Sequence, residues 1–310
     1  MARRAQLDPS LAVRIIGARE LRYATPADPH EDRPAHVRAA SGLAMHQGRL
    51  VVVQDDAQFL AVVADREVTA VKLPRGRDGR RRFEVALGNK LDKLDLESCV
   101  VIDDELWAFG SGSRPEREQI CIVEGGTARV RDAAPLHRML RDAIGSELNL
   151  EGCARVGDEL WLFHRGNTGP TDVGPAVARL RLAEVRPWLT AVGRLPEHVI
   201  VELYDLGAID GQRLGFTDAV AHDGRVFYLA AAEASADAVA DGPVLGSQLG
   251  VIDAEVRAAV LVGPRGEAIK AEGLAFDATH PDGRRAWIAL DPDDPELPST
   301  LLAADLVGPW

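Results

Sequence analysis

Three glutamates stand at recurrent spacing, Glu97, Glu151 and Glu272, and each opens a short apolar run: ESCVVI, EGCARV and EGLAF. A fourth acid, Asp218, follows Thr217 at the head of TDAVAH, and Ser41 heads the comparable run SGLAMH. Carboxyls gathered around one point can do three kinds of chemistry. They can hold Ca²⁺ or Mg²⁺, hard cations that take several oxygen ligands. They can pair with fixed cations. Or, repelling one another, they can raise a carboxyl pKa until that group works as an acid or base near neutral pH. A second polar set ends the apolar run that follows each of these: Asp55-Asp56, Ser113-Arg114, His164-Arg165-Gly166-Asn167, Glu233, and Asp291 with Asp293. Arginine beside hydroxyl or amide groups can grip a carboxylate or phosphate through two hydrogen bonds. The candidate catalytic residues are therefore Glu97, Glu151 and Glu272. Candidate ligand contacts are Arg114, Arg165, Asn167, His164, Ser113, Lys270, Glu233 and Asp56. The candidate metal set, for Ca²⁺ or Mg²⁺, is Glu97, Glu151, Asp218 and Glu272.

A repeat could bring these residues together. Five segments, beginning at Ser41, Glu97, Glu151, Thr217 and Glu272, lie 56, 54, 66 and 55 positions apart. Each is an apolar strand, a turn rich in Gly and Asp, and a second apolar strand, which is the pattern of a hairpin. Strand-like sequence follows each hairpin. In the first repeat FLAVVADREVTAVKL and RRFEVAL read as the third and fourth strands; in the third, AVARLRLAEV and HVIVELYDL do. Four strands in about 55 residues predict a propeller blade. The expectation is an all-β, five-bladed β-propeller, with six blades as the alternative, forming one domain over residues 1–310. The fifth repeat lacks an outer strand, and LAVRIIGARELRY (residues 11–23) is predicted to supply it, closing the ring and covering its edges. Leu136, Leu140 and Ile144 after Pro135 predict one short helix near residues 133–145. ASADAVADGPVLGSQ reads as an insertion in the fourth repeat.

In such a ring the first strand of each blade lines the channel and starts at one mouth. The hairpin returns the end of the second strand to that mouth, so the two polar sets should meet. Trp107, Trp161 and Trp287 align on second strands and read as packing between blades. Cys99, Cys121 and Cys153 read as buried reduced thiols.

The composition is that of a soluble globular protein, and a net charge of −12 opposes binding to nucleic acid or anionic membranes. No apolar run is long enough to span a bilayer. A cytoplasmic monomer is expected, with a small polar or anionic metabolite as its partner. No Walker loop, G-x-S-x-G elbow, H-E-x-x-H or paired C-x-x-C occurs. The leading functional expectation is a polar small-molecule site at the acid-lined mouth. If the protein is an enzyme, a question the residues leave open, the chemistry is hydrolysis or elimination, metal-assisted or driven by a raised-pKa glutamate. The alternative is a non-enzymatic interaction scaffold whose acidic loops meet a partner.

The stretches LEGCARVGDELWLFHRGN, GSGSRP, GFTDAV, DGPVLGSQLGVID and KAEGLAF together resemble a family of uncharacterised bacterial propeller-type domains of unknown function. The resemblance runs from about residue 38 onward, and it implies a β-propeller with no established activity. More distantly, the acid-initiated first strands are similar to those of esterase-like phytase and gluconolactonase-type propellers. That similarity implies Ca²⁺ at the channel mouth and hydrolase activity.

Overall fold

A computed structural model describes residues 1–166, 171–234, 242–277 and 279–310. The chain opens with β1 (Arg3–Leu7) and β2 (Ala12–Glu20). Then come β3 (Ala40–His46), β4 (Arg49–Gln54), β5 (Phe59–Ala64) and β6 (Glu67–Lys72), followed by β7 (Leu96–Ile102), β8 (Glu105–Gly110), β9 (Gln119–Glu124) and β10 (Thr127–Asp132). Helix α1 (Ala134–Ile144) leads to β11 (Leu150–Val156), β12 (Glu159–His164) and β13 (Ala176–Arg181); helix α2 (Leu182–Leu189) leads to β14 (Ile200–Asp205). A small hairpin, β15 (Ala208–Ile209) and β16 (Gln212–Arg213), precedes β17 (Gly215–His222), β18 (Arg225–Glu233), β19 (Val244–Ile252) and β20 (Val256–Leu261). The last group is β21 (Ala271–Phe276), β22 (Arg285–Leu290) and β23 (Thr300–Val307).

The fold is all-β and propeller-like. β3 to β6 form one antiparallel sheet and β7 to β10 another, each in chain order. β21, β22 and β23 make a third, completed by β2, which pairs antiparallel with β23 from Ala12↔Val307 to Glu20↔Thr300. β11–β14 and β17–β20 are two further meanders. β1 lies between their outer strands, parallel to both β14 and β20, and joins them into one nine-stranded sheet. The first strands β3, β7, β11, β17 and β21 touch in that order, and β21 returns to β3. The ring is therefore closed, and the two N-terminal strands, β1 and β2, cover edges that would otherwise template aggregation.

Local sequence explains most of this. Gln47 (φ 51°) with Gly48 (φ 72°), and Asp223 (φ 49°) with Gly224 (φ 72°), supply the paired left-handed residues of a two-residue hairpin turn. Apolar side chains from facing sheets interlock, as do Leu43, Val52, Ala289 and Leu301 between the last sheet and the first. Cys99, Cys121 and Cys153 are buried and unbridged.

Three details differ from the sequence expectation. In the first repeat the fourth strand is β6, not RRFEVAL, because Asp65 (φ 50°) turns the chain inside FLAVVADREVTAVKL; Val85–Leu87 is a 3-10 turn. AVARLRLAEV splits into β13 and α2, whose Leu182, Val185 and Leu189 are buried on one face. β1 was not anticipated, since RRAQL carries no apolar alternation. The helix expected near 133–145 is α1. Residues 235–241, most of the expected insertion, lie outside the described residues. Among the described residues no helix is long and apolar enough to cross a membrane.

Candidate functional site

Each channel-lining strand begins with the same irregularity. Its pairing with the second strand skips one residue: Ser41, Glu97, Glu151, Thr217 and Glu272 in turn. A bulge leaves one residue unpaired and re-aims its side chain, so the recurrent acids are the bulge residues. In the third and fifth repeats the next residue is a glycine with no room for a side chain. A Cβ on Gly152 would lie 3.0 Å from the Ala219 nitrogen, and one on Gly273 2.8 Å from the Leu43 side chain.

Asp218 falls on that second position, not on the ring of bulge residues. It is 1% exposed. Its oxygens accept hydrogen bonds from the backbone N–H of Ala219 (2.8 Å) and Leu274 (2.7 Å), and the Leu43 N–H also points to it. These are equivalent N–H groups of three consecutive first strands. Burial drives the Asp218 pKa well up, and the three donors pull it back. Asp218 thus ties three sheets together inside the channel, and its oxygens are not free for a metal.

The bulge acids lie in two charged networks. In one, Lys93 is bonded to Asp55 and lies 2.6 Å from Asp95, which also pairs with Arg117 at 2.9 Å and accepts from Ser111. Burial pulls the Lys93 pKa down, but Asp55, Asp95 and Glu97 outweigh it and hold the ammonium charged. Arg38, 2% exposed, binds Asp56 at 2.7 Å and Glu84 at 3.0 Å. Burial and Asp55 raise Asp56 to about 6 against that pull. Glu97 stands in the field of Lys93, which pulls its pKa down, but is bonded to no member of this network. Among the described residues its carboxyl makes no hydrogen bond and no ion pair, and it is partly open to solvent. Burial, then Asp55, Asp95 and Glu151, push its pKa well above the carboxylate range.

In the other network Arg165 grips Glu151 with two contacts of 3.0 and 3.2 Å and Glu233 at 2.7 Å. The Asn149 amide adds a bond of 2.6 Å to Glu151. Lys270 lies 2.7 Å from Asp293, 3.5 Å from Glu272, 3.7 Å from Asp291 and 3.8 Å from Glu233. One buried Glu272 oxygen has no hydrogen-bond donor, and burial raises that group well above its usual value. Asp291 is raised to about 7, chiefly by burial. Carboxyls outnumber cations across the mouth.

The structure thus brings together Glu97, Glu151, Glu272, Glu233, Arg165, Lys270 and Asp56. Arg114 is exposed and bonded to none of them; the arginine that reaches the mouth is Arg117, three residues on. Ser113 is exposed and bonded to Ser111 (2.9 Å) and Arg117 (2.9 Å). His164 is fully buried. Its Nδ1 accepts the Asn149 N–H, and burial lowers its pKa to about 4, so it is neutral and structural. Asn167 lies outside the described residues. Sequence reasoning missed Asp95, Arg117 and Arg38. A signal for Asp95 was present: in Lys93-Leu94-Asp95-Leu96-Glu97 the charged residues alternate into the strand, as do Lys270 and Glu272.

Oxygens of Asp55, Asp95 and Glu97 lie within 4.8 Å of one another, close enough for a shared cation. Two of the three already hold Lys93, so the lysine ammonium fills the role expected of Ca²⁺ or Mg²⁺. Arg165 and Lys270 do the same for Glu151 and Glu272. The donor set does not fit a resident divalent metal while these cations are in place.

A family model described as "Family of unknown function (DUF6929)" matches residues 36–306. No curated protein matches the chain. Among solved structures, the chain is similar to a mannose phosphorylase from Leishmania mexicana solved with phosphate ion, with 13% identity, TM-score 0.49, and 94% of this chain and 89% of that one covered. It is also similar to a protein assigned as a gluconolactonase, with 14% identity, TM-score 0.41, and coverage of 91% and 77%. Against the extracellular domain of a protein assigned as a hybrid two-component system of B. thetaiotaomicron, identity is 9% and TM-score 0.35. The match there covers 89% of this chain but spans only 27% of that one.

Proposed function

The chain belongs to the DUF6929 family of unknown function, so its activity has to be read from its own residues, and we propose that the charged mouth of a five-bladed ring binds a neutral, polyhydroxylated small molecule. Five four-stranded meanders with the same bulge support the blade number. The observation that carries the ligand reading is Glu97: a half-buried residue whose carboxyl has no bonding partner among the described residues, set in a mouth where every neighbouring charge is already paired. Fixed carboxylates and fixed cations side by side offer alternating acceptors and donors, which match hydroxyl groups. The excess of carboxyls disfavours an anionic ligand, and Arg165, the arginine expected to grip one, is held by Glu151 and Glu233. If the bound molecule reacts, Glu97, whose carboxyl is pushed above its ordinary range by burial and by Asp55 and Asp95, is the group placed to deliver a proton, in hydrolysis or elimination without a resident metal.

The test is a thermal-shift panel of neutral sugars and polyols beside the matched sugar acids and sugar phosphates. The expected result is stabilisation by a neutral compound that Glu97→Gln weakens by about tenfold or more. Stabilisation by the acids or phosphates alone, or a neutral compound that binds Glu97→Gln unchanged, contradicts it.

A further inference from the structure

The tryptophans that repeat on the second strands are treated differently from sheet to sheet. The Trp107 indole N–H donates to Glu105 at 3.0 Å, and Glu105 is held by Arg129. The Trp161 N–H donates to Glu159 at 2.9 Å, and Arg179 lies over the Trp161 ring at 4.9 Å. Both rings are sealed by an acid two residues upstream and an arginine. At Trp287 the residue two upstream is Arg285, whose guanidinium is turned to Asp305. The Trp287 N–H has no acceptor among the described residues, and the ring is only partly buried.

The row of residues beside each ring differs in the same sense. Trp107 is flanked across its sheet by Val100, Ile122 and Arg129. Trp161 is flanked by Ala154, Arg179 and Ile200. Trp287 is flanked by Ala275, Ala303 and Gly17. Where the other sheets place branched or long side chains, this one has almost none. The result is a cleft of about 900 Å³ on the face opposite the charged mouth, at the seam between the last sheet and the first.

Three arginines from separate elements meet at this cleft: Arg19 on β2, Arg49 at the start of β4 and Arg66 on the β5–β6 turn. None has a carboxylate partner among the described residues, although most arginines of this acidic chain do. Arg19 donates to the Asp65 backbone oxygen at 2.7 Å, and its Nε is buried without an acceptor. Two acids also line the cleft. Asp277 is turned to the Thr279 hydroxyl and N–H, and Asp65 is exposed on its turn.

We propose that this cleft is a second binding site, for a small molecule with a flat apolar body and one anionic group: the body lies along Trp287 on the Gly17–Ala303 shelf, and the carboxylate or phosphate is held by Arg19, Arg49 and Arg66. The chemistry follows from what the site leaves unmet. A ring face asks for a flat apolar surface, and an indole N–H with an orphaned arginine Nε asks for an acceptor. Nothing in the reading of the charged mouth is needed for it.

The experiment follows the indole N–H signals of the five tryptophans by nitrogen-15 NMR, with Trp287→Phe to identify the relevant one. The probes are 1-naphthoate, 1-naphthyl phosphate and the uncharged 1-naphthalenemethanol. One or both anions should move the Trp287 signal saturably and leave those of Trp107 and Trp161 in place; whichever binds more tightly names the anionic group. The alcohol should bind about tenfold or more weakly, as should either anion to the Arg49→Glu/Arg66→Glu protein. Gly17→Leu should abolish the shift while the remaining signals keep their native dispersion; a Cβ at Gly17 meets only Ala303, at 3.8 Å, so the strand accepts it. A Trp287 signal unmoved by millimolar amounts of both anions, equal affinity for the alcohol, or unchanged binding to Gly17→Leu would each overturn the proposal.

Discussion

Asp218 and Glu97 are both acids at the start of channel-lining strands, and burial pushes both well above the ordinary carboxylate range. Their surroundings could hardly differ more. Asp218 accepts from three backbone N–H groups of three sheets and faces no cation. Glu97, one repeat position away, accepts from nothing among the described residues and opens toward solvent beside a set of closed ion pairs. A raised pKa therefore marks burial in both places, while bonding partners hold only Asp218. The partners separate a structural carboxyl from one left free for a ligand.

Asp218→Ala is the strongest way to break this contrast. It strands three buried N–H groups at the point where the ring closes and should destabilise by about 3–6 kcal/mol, read by chemical denaturation. Asp218→Asn keeps one acceptor oxygen and should lose clearly less. If Asp218→Ala unfolds like the wild type, Asp218 is not the tie described here.

Lys93→Met comes next. It leaves Asp55 without its cation and Asp95 with Arg117 alone, a loss of about 3 kcal/mol. Because the lysine fills the place of a metal, millimolar Ca²⁺ should restore part of the lost melting temperature in Lys93→Met and leave the wild type unchanged. Equal stabilisation of both proteins would show that the wild-type mouth takes the ion despite Lys93.

Glu97→Gln has a smaller effect of opposite sign. A carboxyl whose folded pKa is raised favours the protonated folded state, so stability is lost as pH climbs from the unfolded value through the folded one and levels off above it. Glutamine mimics the protonated form. The variant should therefore melt a few degrees higher than the wild type at alkaline pH, and the gain should shrink as pH falls toward the ordinary glutamate range. A variant that is less stable at pH 8 would mean that Glu97 has a partner holding its charge.

Asp291→Asn is the mildest probe. With a folded pKa of about 7, Asp291 takes up its proton between pH 8 and 6 and stabilises the wild type over that window. The variant should flatten that rise. Below pH 6.5 the neutral His164, lowered to about 4, works the other way: stability falls as pH drops, because only the unfolded imidazole is protonated there. A wild type whose stability is flat from pH 8 to 6 would remove Asp291 from the set of raised acids.

The repeat, the closing strand β2 and the meeting of Glu97, Glu151 and Glu272 could be read from the chain because each rests on a short pattern that recurs about every 55 residues. What escaped depends on long-range neighbours. β1 is polar and gains its place only by lying between β14 and β20. Asp95 precedes its strand in an alternation too short to notice without Lys270 and Glu272 beside it. Arg114 drew attention from its place in GSGSRP, yet the following 3-10 turn carries Arg117 to Asp95 instead. Asp218 looked like one acid of a ring because it sits one residue from the ring position. The bulge decides which side chain is re-aimed, and a bulge is visible only in the pairing register.

The decisive measurement is a pH titration of the glutamate side-chain carboxyl carbons by carbon-13 NMR, with Glu97→Gln identifying the Glu97 signal. The midpoint for Glu97 should lie well above the ordinary glutamate value of about 4.3, and a neutral polyol that stabilises the protein should move it. A Glu97 signal that titrates at about 4.3 and ignores such a ligand would contradict the reading of this mouth as a poised binding site.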